Sequence, residues 1–304
     1  MDMSPLSRMK SPAASRTRPI LLLLLSFALT ADAIVIPPAR WGHVSILCGT
    51  QLYIHGGQTG VNPMTAPIGS DLYSLDISAA FNAFSVPWVQ LTPGPYASFH
   101  SASLLGPGNS LLAIYGGNTS FAPTSSTGSS NSLNLYNTAT GTWTASPIQD
   151  PPRREHHTAA SRLGDGTMFV YGGSLLSTDL MTESATPEMW TVGGYRDSNP
   201  SSNSSSSATS PAIPEPTGLT PDTVGWRKLP GPPGSTTDRS YHSATLIRSN
   251  GLLVVIGGVS GGALVPMSEI LVFDTAAGTW SVQTATGATP PLRRSHVAAA
   301  SISH

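Results

Sequence analysis

Four short apolar runs punctuate the chain, and each ends in Gly-Gly: LYIHGG at 52–57, LLAIYGG at 111–117, MFVYGG at 168–173 and LLVVIGG at 252–258. A second, alternating run follows each one and tends to close on Asp or Asn. It reads DLYSLD at 71–76, SLNLYN at 132–137 and EILVFD at 269–274, with a weaker EMWTV at 188–192 in the third set. A tryptophan comes next, at Trp88, Trp143, Trp226 and Trp280. Ahead of the apolar runs stands Arg-x-x-His, at Arg40–His43, Arg154–His157 and Arg239–His242, and again at Arg293–His296. A degenerate copy, Ala97–His100, fills the one gap, so the histidines fall 57, 57, 85 and 54 residues apart.

Runs of this length, rich in Val, Ile, Leu and Tyr and bounded by Gly, Pro, Asn and Ser, predict β-strands. None has the length or the 3.6-residue period of an amphipathic helix. Gly164-Asp165-Gly166 and Ser249-Asn250-Gly251 read as hairpin turns between first and second strands. Four strand signals in each repeat of roughly 50 residues predict one antiparallel, four-stranded propeller blade per repeat.

The ordered set of Arg-x-x-His, Gly-Gly, a strand ending in Asp or Asn, and Trp resembles the kelch repeat. The resemblance covers about residues 34–304. It implies an all-β, kelch-type β-propeller with four full blades, roughly 40–91, 97–146, 154–229 and 239–283, and a partial one at 293–304. Residues 195–224 are Ser- and Pro-rich and are expected to form a loop inserted between the third and fourth strands of blade three. The ring is expected to be incomplete. In the kelch family a strand such as Ile34–Ile36 completes the last blade, and the stretch from His296 reads as a first strand with no successors. Unpaired strand edges invite aggregation, so a longer natural chain or a truncated product is expected. Any membrane anchor is expected only in that missing C-terminal part.

The N-terminus changes the picture of compartment. Ile20–Leu29 is an apolar stretch of ten residues, too short to span a bilayer comfortably. Arg8, Lys10, Arg16 and Arg18 precede it, and Ala31-Asp32-Ala33 offers small residues for cleavage. Residues 1–33 therefore read as a secretory signal peptide, and the protein is expected in the secretory pathway, extracellular or at the cell surface. Its removal takes four basic and two acidic residues from totals of 15 and 16, leaving 11 and 14. Secretion gives meaning to two glycosylation sequons, at Asn118 and Asn203. The single cysteine, Cys48, excludes an internal disulfide framework and a cysteine-based zinc site. It is expected to act as a small buried hydrophobe.

Without a basic excess, a nucleic-acid partner is not expected. Residues present in every blade are read as structural rather than catalytic: Arg40, His43, Gly56, Gly57, His100, Gly116, Gly117, Arg154, His157, Gly172, Gly173, Arg239, His242, Gly257, Gly258, Arg293 and His296. The arginine is expected to pair with an acid or carbonyl between blades, and the histidine with backbone. The alternative is a ring of imidazoles that converge on a metal. Glu155-His156-His157 is a local cluster in which strand alternation would let only Glu155 and His157 share a face. His55 replaces the Tyr or Ile found before Gly-Gly elsewhere and is read as a tolerated variation. No catalytic, cofactor or metal residue is assigned.

The expected function is a non-catalytic interaction module that binds a protein or carbohydrate ligand through the loops 58–70, 118–131, 174–187 and 195–224. The alternative, from a distant resemblance to the galactose oxidase propeller, is a fragment of a secreted copper-radical oxidase. Cys48 and Tyr53 are not in a context that matches that family's site.

Overall fold

The chain divides between Ala33 and Ile34 into two units, and the description concerns the second. The structure, a computed structural model, describes residues 35–62, 65–106, 109–119, 133–146, 151–162, 165–176, 183–193, 225–234 and 237–300. Residues 1–33, expected to be a signal peptide, the insert 195–224 and Asn203 lie outside these residues.

Four four-stranded antiparallel sheets follow one another along the chain. Blade one comprises Val44–Cys48, Gln51–His55, Leu72–Asp76 and Val89–Leu91. Blade two comprises Ser101–Leu105, Leu111–Tyr115, Asn134–Asn137 and Thr142–Ala145. Blade three comprises Thr158–Arg162, Thr167–Tyr171, Met189–Val192 and Arg227–Leu229. Its third and fourth strands flank the Ser/Pro-rich insert. Blade four comprises Ser243–Ile247, Leu252–Ile256, Glu269–Asp274 and Thr279–Thr284. First and second strands are joined at one end of each blade, and third and fourth strands at the same end, by tight turns in blades two and four and by longer links in blades one and three. The Gly-Gly loops and the Arg-x-x-His segments therefore share the other end.

The period of two along the second strands builds the core. In blade two, Leu112 and Ile114 pack toward blade one with Tyr53 and Leu72. Ala113 and Tyr115, one residue out of phase, pack toward blade three with Met168, Val170 and Val192. The same alternation in blade three sends Phe169 and Tyr171 against Leu253, Val255, Leu271 and Phe273 of blade four. These strands read as unbroken apolar runs because both of their faces are covered.

The end segments differ from expectation. Val35 does not serve the last blade; it makes an antiparallel bridge to Trp88 at the outer edge of blade one. Residues 291–300 form no strand. Ala298 nevertheless accepts a hydrogen bond from Thr245 Oγ1 at 2.9 Å, so the segment runs along the flank of blade four.

Each Gly-Gly turn is tight in two senses. Gly172 has φ +66°, and a Cβ there would lie 2.4 Å from the Arg239 carbonyl oxygen. Gly278, in a hairpin turn of blade four, also has positive φ (+69°), but a Cβ there would meet nothing within 4 Å. Gly278→Ala is expected to cost only the left-handed backbone penalty, about 1–2 kcal/mol. Gly172→Ala adds a collision with immobile backbone and is expected to cost about 3 kcal/mol or more. Urea unfolding midpoints of the two variants check the difference.

Candidate functional site

The repeated residues assemble into one joint, used between each pair of neighbouring blades. The N–H of the second glycine donates to the carbonyl of the next repeat's arginine position: Gly57 to Ala97 (2.8 Å), Gly117 to Arg154 (2.9 Å), Gly173 to Arg239 (2.7 Å) and Gly258 to Arg293 (3.1 Å). The bond uses only main chain, so it survives at Ala97. The next repeat's imidazole lies against the first glycine. A Cβ on Gly56, Gly116, Gly172 or Gly257 would come within 2.7–2.9 Å of Cε1 of His100, His157, His242 or His296.

The histidines bond to side chains across the joint, and main-chain hydrogen bonds with Tyr115, Arg239 and Ile256 also act on His157, His242 and His296. His157 Nε2 pairs with Ser101 Oγ (2.8 Å), His242 Nε2 with Thr158 Oγ1 (2.8 Å) and His296 Nε2 with Ser243 Oγ (3.0 Å). The partner is always the residue that opens the preceding blade's first strand. Blade one has Val44 there, without a hydroxyl. His55 fills the role instead, its Nδ1 lying 3.1 Å from His100 Nε2. His55 is thus the partner that blade one supplies to the joint, not an idle variation. His43 has no blade before it in the described residues and is exposed.

The arginines act within a blade, which corrects the expected pairing between blades. Arg40 donates to the Gly56 carbonyl (2.9 Å) and to Asp71 (3.3 Å). Arg154, fully buried, donates to the Gly172 carbonyl (3.2 Å) and Glu188 (2.9 Å). Arg239, also fully buried, pairs with Glu269. The acid stands at the entry to the third strand, just ahead of it for Asp71 and Glu188 and as its first residue for Glu269, so the pair clamps the second-to-third-strand loop onto its own blade. Blade two has Ala97 for the arginine and Ser132 at the acid position. Both members of the pair are lost together, which leaves no buried charge unpaired.

Tryptophan completes the joint. The residue before Gly-Gly packs against the outer-strand Trp of the next blade: His55 on Trp143, Tyr115 on Trp226 and Tyr171 on Trp280. Trp143 and Trp280 also donate Nε1–H to carbonyls that follow the neighbouring outer strand, Thr92 (2.9 Å) and Pro230 (2.8 Å).

A second ring of contacts was hidden in the sequence. The residue before each repeat histidine has positive φ: Gly42, Phe99, His156, Tyr241 and Ser295. Their peptide groups form a relay from repeat to repeat. Phe99 N–H donates to Gly42 O (2.7 Å), His156 to Phe99 (3.1 Å), Tyr241 to His156 (3.0 Å) and Ser295 to Tyr241 (2.9 Å). The side chains stack in the same order. His156 lies 4.3 Å from Phe99 and 3.7 Å from Tyr241 between ring centroids, and Arg294 covers Tyr241 at 5.2 Å. Only Gly42 hinted at the positive φ in the sequence, because the other four residues are of four different types.

The same geometry corrects the reading of the acidic cluster. His156 in the left-handed region breaks strand alternation. Glu155 therefore approaches His156, with Oε1 3.7 Å from Nε2, while His157 turns into the joint. Among the described residues no group of three or more His, Cys, Asp or Glu could hold a metal ion. Cys48 is half-buried, donates to the Asn109 carbonyl at 3.3 Å, and has its thiol pKa raised by burial. It packs against the cluster that holds Tyr53. Asn118 is half-buried, with its N–H bonded to the Ser98 carbonyl at 2.7 Å.

The second-to-third-strand loops carry small sheets of their own. On blade three, Ser174–Leu176 pairs with Arg154–Glu155 on one side and Glu183–Ala185 on the other. On blade four, Val259–Ser260 pairs with Ala263–Leu264. Between these two additions opens a cleft of about 540 Å³. Ser184 and Ala185 line it from blade three and Gly261 and Gly262 from blade four, together with Asp238, Tyr241 and Arg294.

Comparison with known proteins agrees with this architecture. The sequence profile of the KLHDC2/KLHL20/DRC7 Kelch-repeats domain matches residues 30–212. Kelch domain-containing protein 3 of Bos taurus is 28% identical over 145 residues, covering 45% of this chain and 35% of that protein. The Rattus norvegicus protein of the same name is 27% identical over 146 residues, covering 48% and 35%. The chain thus spans about a third of the length of the curated relatives it matches. The solved structure of YjhT is similar in fold, with a TM-score of 0.53 at 13% identity, over 82% of this chain and 66% of that one.

Burial gives the joint a pH signature. Desolvation, with a smaller push from nearby Arg40, Arg294 and Arg239 respectively, lowers the pKa of His55, His156 and His242 to about 3. The folded imidazoles stay neutral while the unfolded ones take up protons below about pH 6.5, so stability falls with pH from there toward pH 3. At pH 5 each such histidine is expected to cost about 2 kcal/mol relative to pH 7. Glu188 acts in a lower window. Burial alone would raise its pKa, but bonds from Lys228, Trp190 and Arg154 outweigh this and hold it at about 2. Its contribution is lost only as pH falls from about 4.5 toward 2. Denaturation midpoints measured from pH 7 down to 3 are expected to drop already above pH 5. His156→Phe, which keeps the stack, is expected to reduce that slope by one proton.

Proposed function

For a chain that belongs to the Kelch-repeats domain family, we propose the role of a protein-interaction module of the secretory pathway, extracellular or at the cell surface. It grips its partner with the end of the blades that carries the Gly-Gly loops. The observation that carries this reading is the division of labour among residues. The clamps and joints are built from repeated Arg, His and Trp side chains and from the backbone of the repeated glycines. The residues around the cleft between blades three and four, among them Ser184, Asp238 and Arg294, are not part of the repeat pattern. A rigid scaffold with variable residues gathered at one end is a binding device. The leader 1–33 supports passage through the secretory pathway, with Ile34 as the first mature residue, and Asn118 and Asn203 are the glycosylation candidates.

Protein is favoured over carbohydrate as the ligand. Tyr241 is the one aromatic among the cleft residues, and its ring is already stacked on His156 and covered by Arg294. Little of it is offered to a sugar ring.

Two measurements test the proposal. Expressed in secreting eukaryotic cells, the product is expected in the medium, beginning at Ile34 and shifting in mass on glycosidase treatment. Retention in the cytosol with the leader intact would overturn the compartment. A photo-crosslinking residue at Ser184 is expected to label protein species that the same probe at Gly278, at the opposite end of blade four, does not. Equal labelling from both positions would remove the proposed binding face.

A further inference from the structure

The cleft between blades three and four has walls of unusual smallness. Ser174, Ser184 and Ala185 stand on one side, and Gly261 and Gly262 on the other. A Cβ at either glycine would meet nothing within 4 Å. Such walls offer no deep pocket for an anchoring side chain, but they let a foreign backbone come close.

One wall is also a strand edge. Among the described residues, Glu183–Ala185 is the outer strand of the small sheet on blade three, paired only with Ser174–Leu176. The direction of its main-chain groups follows from the ladder. Thr186 N–H donates to the Gly173 carbonyl at 3.0 Å, just outside the Ser174–Ala185 pair. In an antiparallel ladder this makes Ser174–Ala185 the non-hydrogen-bonded pair and Leu175–Ser184 the bonded one. The N–H and C=O of Ala185 therefore point away from Ser174–Leu176, on the edge that borders the cleft. The edge has no lysine, and the proline that would block it, Pro187, comes only after the strand.

We propose that this cleft binds an extended polypeptide segment by strand addition, main chain to main chain, on the edge Glu183–Ala185. The added strand lies between that edge and the Gly261-Gly262 tip of blade four's hairpin. Recognition is carried by peptide groups, so the site tolerates varied sequences but requires small side chains where the segment faces the glycines. Asp238 and Arg294 lie in the same cleft and add one contact of each sign, which suits a segment of mixed charge rather than a strongly acidic or basic one. The proposal rests on the reading of the domain as a protein-interaction module and narrows its ligand to an extended segment.

The test uses the full chain and short random peptides displayed on phage. Selected peptides are expected to favour β-formers and small residues. Ala185→Pro removes the outward N–H without touching the bonds to Leu175, and is expected to weaken the selected peptides about tenfold or more. Because that variant could perturb the small sheet, the same peptides are resynthesised with single N-methyl groups. Methylation at every second residue is expected to abolish binding, and at the intervening residues to be tolerated. Peptides indifferent to both changes would overturn strand addition while leaving a protein-binding module. A chain that selects no peptide but binds immobilised glycans would overturn both readings.

Discussion

An imidazole laid over a glycine governs how these blades meet. Each joint needs a first glycine without a Cβ, because the next repeat's histidine and the carbonyl of its arginine position occupy that space. It needs a second glycine whose N–H reaches the same carbonyl. Both adopt positive φ, so no other residue type satisfies the site without strain. The apolar cores follow from this joint. Once neighbouring blades are held at one end, the second strand of each inner blade has a partner on both faces, and its whole length becomes apolar.

The joint has tolerances that show which parts are indispensable. Blade two lost its arginine and the matching acid but kept the main-chain bond at Ala97, so the clamp on the loop is dispensable while the peptide contact is not. Blade one lost the hydroxyl that its neighbour's histidine requires, and the imidazole of His55 replaced it from the adjacent strand. In both places a buried polar group was either removed with its partner or given a new one. That is the expected outcome when an unsatisfied buried group costs more than a hydrogen bond returns.

The same accounting separates structure from function. His100, His157 and His242 are buried, kept neutral by that burial and engaged across the joints, so their repetition reflects packing. What the domain can recognise depends on residues outside the pattern: the hairpin tip at Gly261-Gly262, the strand edge at Ala185, and the charges of Asp238 and Arg294. The relay of left-handed residues links these to the scaffold, because Tyr241 and Arg294 continue the stack that begins at Phe99.

Repetition made the architecture readable from sequence alone. Strand signals, hairpin turns and Gly-Gly turns are local, and copies at near-constant spacing exclude chance, so the four blades, their sixteen strands and the position of the insert between Val192 and Arg227 were all legible. Contacts between repeats were not. Strand alternation paired Glu155 with His157, whereas a single positive φ at His156 reversed the choice. Sequence placed the arginine clamps between blades, and folding put them within. The cleft was invisible, because its residues come from two blades and share no motif. The sequence determined which segments become strands, since each answers to its own neighbours along the chain. Tertiary structure decided which side chains meet and where a ligand fits, since those contacts join residues that only the packing of one blade on the next brings together.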